Sequence, residues 1–225
     1  DVDVICLEKS ASNIHFMENN GFGSFSRKSV PAFAAITSGE PDHAVITDLD
    51  QDGDLDVVVV FSSTSEIGWF ENNATGTGAF ANKATLAHEY PNAGGADYVA
   101  VGDLDGDSYP DLVVAYRSVD AVAWYSNQGD ADPVFTWKGT LADANDSLDA
   151  PRSLELVDMD NSGTLDVLIA ANENVYIASN LGSDSLFSVS SITNFVGGGL
   201  VVKAQDFTAD GLLDVVYASY VGAPN

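Results

Sequence analysis

A nine-residue aspartate loop recurs down this chain and narrows its possible folds more than any other feature. The string DLDQDGDLD occupies residues 48–56, DLDGDSYPD 103–111, DMDNSGTLD 158–166 and DFTADGLLD 206–214. Oxygen-bearing side chains at positions 1, 3, 5 and 9, with glycine frequent at 6, make a cage for a hard cation such as calcium. The ninth position falls at Asp3, Asp56, Asp111, Asp166 and Asp214, at intervals of 53, 55, 55 and 48 residues. Near-even recurrence at this period marks a repeat array in which each unit buries its apolar faces against the next. Asp1-Val2-Asp3 aligns with the end of a loop, Asp54-Leu55-Asp56, so the chain is expected to be cut from something longer.

Each loop is set between strand-like runs. A short alternating run precedes it (44–47, 99–102, 154–157, 201–204) and a more continuous apolar run follows (4–7, 57–61, 112–116, 167–171, 215–220). Continuous apolarity predicts strands covered on both faces. Third runs at 14–18, 67–71, 122–126 and 175–179 each lead into an asparagine: Asn19, Asn72, Asn127 or Asn180. A glycine-containing turn then reaches Phe25, Phe80, Phe135 or Phe187, followed by a more variable fourth run such as 83–88. No segment sustains a 3.6-residue period with caps.

Four antiparallel strands per unit predict an all-β fold, a β-propeller built from four-stranded antiparallel blades. Residues 1–225 are expected to form a single propeller segment, with repeats at 1–41 (partial), 42–96, 97–150, 151–200 and 201–225 (partial). Phe16, Trp69 and Trp124 match in the third strand and are expected to pack blade on blade. Cys6 aligns with Val59, Val114 and Ile169, which predicts a core position.

The composition is that of a folding chain, 45% apolar, yet its net charge is -26, with 34 acidic residues against 8 basic ones. Nucleic acid and anionic membrane are poor partners, since both need Lys and Arg to neutralise phosphate. No stretch is long and apolar enough for a transmembrane helix, so direct membrane insertion is not expected. Sequons at Asn73-Ala74-Thr75 and Asn145-Asp146-Ser147 fall in expected loops, where a glycan is accommodated. With calcium loops they point to an extracellular setting, secreted or at the cell surface.

The D-x-D-x-D-G-x-x-D loop, the Leu55-Asp56-Val57-Val58-Val59 strand start and the turn Asn19-Asn20-Gly21-Phe22-Gly23-Ser24-Phe25 resemble the FG-GAP repeats, also called VCBS repeats. Val221-Gly222-Ala223-Pro224 is similar to their Gly-Ala-Pro element. These repeats form the integrin alpha-subunit propeller and occur in secreted microbial and algal proteins. The resemblance implies seven blades in an intact domain, hence a segment here. It also implies calcium ligands at positions 1, 3, 5 and 9, and at the backbone carbonyl of 7. On that pattern the ligands are Asp48, Asp50, Asp52, Asp54 (carbonyl) and Asp56, then Asp103, Asp105, Asp107, Tyr109 (carbonyl) and Asp111. The third loop offers Asp158, Asp160, Ser162, Thr164 (carbonyl) and Asp166, and the fourth Asp206, Thr208, Asp210, Leu212 (carbonyl) and Asp214. Asp1 and Asp3 close the partial first loop. Carboxylate count ranks the 48 and 103 loops above the 158 loop, and that above the 206 loop.

Outside the loops the sequence holds no triad or zinc spacing, and catalysis is not expected. His43, Tyr98 and Arg152 enter the innermost strands, where residues ring a propeller's central channel. They mark either a ligand face or ordinary polar loop positions. The main reading is a calcium-stabilised structural, adhesion or interaction module with a protein or glycan partner, part of a larger chain or assembly. The alternatives are a lectin-like carbohydrate-binding propeller, an accessory domain of a polysaccharide-acting enzyme, or a hydrolase or lyase.

Overall fold

The computed structural model describes residues 2–34, 39–64, 66–73, 80–86, 95–129, 133–172, 174–182, 187–192 and 198–220. Asp1, Thr75, His88 and the Gly-Ala-Pro element at 222–224 lie outside them. The chain divides into two units, Asp1–Asp97 and Tyr98–Asn225.

In the first unit, strands β1 (Val4–Glu8), β2 (Asn13–Asn19) and β3 (Phe25–Lys28) form a three-stranded antiparallel sheet in chain order. A single helical turn, Pro31–Ala34, follows; its leading proline lacks an N–H that a helix start would leave unbonded anyway. Four strands, β4 (Pro41–Thr47), β5 (Asp56–Phe61), β6 (Glu66–Asn72) and β7 (Phe80–Leu86), then form an antiparallel meander. The second unit repeats that meander twice. Its first sheet is β8 (Ala96–Gly102), β9 (Asp111–Tyr116), β10 (Ala121–Asn127) and β11 (Phe135–Ala142). Its second is β12 (Ser153–Val157), β13 (Asp166–Ala170), β14 (Val175–Asn180) and β15 (Phe187–Ser191). A two-stranded sheet of β16 (Gly198–Gln205) and β17 (Asp214–Tyr220) ends it. These four-stranded meanders are β-propeller blades, as the repeat period predicts.

The expectation for the second strands holds in three of the five: every residue of β5, β9 and β13 is buried, whereas β1 is covered only at alternate residues and residues 216–219 of β17 are exposed. The β-branched side chains of the three buried strands fill both faces of a pleated strand. Outer strands are more exposed, as in β11 and β15. In two blades the third and fourth strands slip register at matching places, between Trp69 and Phe70 and between Trp124 and Tyr125.

Blades pack through aromatics. Phe16 of β2 meets Phe80 of β7 edge-on at 6.1 Å, and Trp124 of β10 meets Phe187 of β15 at 5.9 Å. Trp124 shares one buried cluster with Leu154, Ile169 and Tyr176 of the following blade, as expected for blade-on-blade packing. The expectation for Cys6 fails: it is exposed. Its strand β1 is at the edge of its sheet with only alternate residues partly covered, unlike β5, β9 and β13, so alignment to those strands does not carry their burial.

Candidate metal centres

All four loops share one backbone. Positions 4 and 6 are left-handed in each: Gln51 and Gly53, Gly106 and Ser108, Asn161 and Gly163, Ala209 and Gly211. The second loop therefore keeps its glycine at one of these two positions and places Ser108, φ 76°, at the other. The turn is held by its own carboxylates. The first aspartate accepts the N–H of position 6, at 3.1 Å for Asp48, 2.9 Å for Asp103, 2.8 Å for Asp158 and 2.9 Å for Asp206. The side chain at position 5 (Asp52, Asp107, Ser162 or Asp210) accepts the N–H of position 7 (Asp54, Tyr109, Thr164 or Leu212). Asx turns of this kind let short polar side chains stand in for backbone acceptors.

The ninth aspartate ties the loop to the sheet. Asp56, Asp111 and Asp166 are 0% exposed. Oδ2 of each accepts the N–H of loop position 2: Leu49 at 3.2 Å, Leu104 at 3.0 Å and Met159 at 2.9 Å. Oδ1 accepts the N–H of the asparagine ending the third strand, at 2.8 Å for each of Asn72, Asn127 and Asn180. Asp3 repeats this bond with Asn19 at 2.8 Å. In the first two complete loops an indole joins in: Trp69 Nε1 donates to Asp56 and Trp124 Nε1 to Asp111. The asparagine side chains complete the clip. Their amides donate to the position 8 carbonyls of Leu55, Pro110 and Leu165, and Asn180 also reaches Leu104 O of the preceding blade at 2.8 Å. The recurring asparagine was visible in sequence; its clip and the tryptophan–aspartate bond were not, because both depend on strand pairing.

Carboxylates converge inside three loops. One oxygen from each of Asp48, Asp50 and Asp52 lies within 4.8 Å of the others, and the same holds for Asp103, Asp105 and Asp111 and for Asp158, Asp160 and Asp166. The described residues show no such trio in the fourth loop, where Thr208 takes position 3 and Asp214 is half-buried. Burial pushes the Asp111 carboxyl up to about 7, with the charge of Asp105 adding to it. Burial, then the neighbouring Asp56, lifts Asp50 to about 6; Glu71, 8% exposed, adds repulsion there. Asp56 is also raised, chiefly by burial. Gathered anions in partial burial resist ionisation unless a cation joins them.

The donor set fits a hard divalent ion. Asp48 Oδ1 and Asp105 Oδ1 are buried and without a hydrogen-bond partner, an arrangement that costs free energy unless something positive meets them. Asp105 Oδ2 has protein partners, the Ser126 hydroxyl at 3.1 Å and the Lys138 ammonium at 4.0 Å.

The other expected residues lie outside the aspartate loops. His43 lies in β4 of the first unit, opposite Val60. Tyr98 lies in β8 and Arg152 just ahead of β12 in the second, where the Arg152 guanidinium donates to Asn172 Oδ1 at 3.2 Å. Asn73 is exposed just past β6. Asn145 is exposed in a one-turn 3₁₀ helix and donates its amide to Asp143 at 3.1 Å.

No curated protein matches the chain. Among solved structures it is similar to a lectin of Agrocybe aegerita described by its specific recognition of non-reducing terminal N-acetylglucosamine, at 16% identity and a TM-score of 0.46, over 96% of this chain and 74% of that one. The family model described as FG-GAP-like repeat matches residues 1–59, 48–114 and 103–169, each window running into the strand after an aspartate loop. With loop, asparagine clip and four-stranded blade recurring in register, the chain belongs to the FG-GAP-like repeat family.

Proposed function

We propose that this chain is a non-catalytic propeller module stiffened by calcium, which works outside the cell as a scaffold for a protein or glycan partner. The observation that carries the reading is the pair of buried, unpartnered oxygens, Asp48 Oδ1 and Asp105 Oδ1, set among converging carboxylates. Calcium takes six to eight oxygen ligands in adaptable geometry, whereas magnesium demands a stricter octahedron. When bound, the ion supplies positive charge to carboxylates that otherwise repel. The residues around it hold the turn: position 1 anchors it, position 5 closes it and position 9 joins it to the third strand.

The same constellation recurs in successive repeats, which suits a structural role better than one reacting centre. Calcium is plentiful outside cells, and the exposed sequon asparagines Asn73 and Asn145 accord with that setting. The test is calorimetric titration with calcium, combined with thermal melts in calcium and in EGTA. Binding heat and a midpoint that rises with calcium are expected, because a ligand that binds only the folded form stabilises it by mass action. No heat and superimposable melts would sink the reading.

A further inference from the structure

Three of the chain's five lysines share one register position. Lys28, Lys83 and Lys138 each stand three residues after the outer-strand phenylalanine, at Phe25, Phe80 and Phe135. At the first of these the charge is neutralised locally, since Lys28 pairs with Glu18, the residue before Asn19, at 2.7 Å. The third has no such acid beside it. The residue before Asn127 is Ser126, whose hydroxyl donates to Asp105 Oδ2 at 3.1 Å. The Lys138 ammonium therefore faces the loop itself, 4.0 Å from that same Asp105 oxygen and 5.8 Å from the centre of the Trp124 ring.

We infer that Lys138 is an internal counter-cation of the second loop, sharing Asp105 with the divalent ion. This inference rests on the calcium reading above. In the ion-free protein the ammonium offsets part of the carboxylate repulsion. When the ion arrives, two like charges meet across one carboxylate, so Lys138 lowers the loop's affinity. The Trp124 face gives the displaced ammonium a second resting place. Lys138 thus sets the calcium concentration at which this loop fills, while carboxylate count alone would equate it with the 48 loop.

The discriminating variants are Lys138→Met, which keeps an apolar stem and removes the charge, and Lys138→Arg, which keeps the charge. Lys138→Gln is a second neutral variant should the methionine disturb folding. Calcium titration is followed by NMR at the Ser108 amide, which bonds Asp103 and so reports this loop. Melts in EGTA accompany it. Neutral variants should bind calcium at this loop on the order of tenfold more tightly, for removal of one nearby like charge, yet melt lower in EGTA. Lys138→Arg should follow the native protein in both. Opposite signs in the two conditions are what a mere packing role would not produce. Unchanged affinity in neutral variants, with the native protein still binding calcium, would overturn the inference alone. A native protein that binds no calcium would overturn it together with the reading on which it stands.

Discussion

The indole nitrogen of Trp124 donates to Oδ2 of Asp111 across 3.1 Å, beneath a loop whose Asp103 and Asp105 bring an oxygen within 4.8 Å of the same carboxylate. A fluorophore is thus bonded to a residue of the candidate ion cage, and the Trp69–Asp56 pair repeats the bond in the preceding blade. Terbium added in place of calcium should luminesce on tryptophan excitation. Trp124→Phe should remove a large part of that signal and destabilise the fold by about 1.5–3 kcal/mol, the worth of a hydrogen bond to a charged group. Luminescence titration and urea unfolding check both outcomes.

The ion-free protein should become more stable as pH falls from about 7 towards 4. Asp111 and Asp50 have folded-state values of about 7 and about 6, above the ordinary 3.8. Between those limits the folded chain holds protons that the unfolded chain has released, and the favourable contribution disappears as pH rises through the folded values. On the calcium reading, the ion should reverse the dependence, because its binding requires the ionised carboxylates and expels their protons. Melts in EGTA at pH 5.5 and 8 should order opposite to melts in calcium, and calorimetry in two buffers should register proton release.

Ser108→Gly should stabilise the second loop by about 0.5–1 kcal/mol, since a non-glycine residue is strained in the left-handed region. The converse change, Gly53→Ala at the same loop position, should cost about 1–2 kcal/mol even though its Cβ would meet nothing within 4 Å. Paired urea titrations of the two variants separate backbone strain from crowding.

Asn180→Ala should cost about 2–3 kcal/mol in urea unfolding, because its buried amide serves Leu104 O in one blade and Leu165 O in the next, and both carbonyls lose a partner.

Much of this fold was legible because one spacing recurs: aspartate loop, apolar run, asparagine and phenylalanine mark three of the four strands in each blade. What escaped was set by neighbours and not by the local string. Cys6 looks like Val59 in alignment, yet only Val59 has covered faces. The second loop looks as though it has moved its glycine, whereas two left-handed positions exist in every loop and Gly106 fills one of them. Lys138 reads as an ordinary polar residue until pairing of β10 and β11 carries it to Asp105, on a chain segment 33 residues away.

The family windows are offset from the sheets. The window 48–114 takes in β5, β6 and β7 of one blade, then β8 and the first residues of β9 of the next. A duplication copying from loop to loop would therefore insert neither a finished blade nor a free one. Each new copy would complete the sheet before it and begin the sheet after it. Such a lineage can lengthen one unit at a time while every intermediate stays threaded into its neighbours.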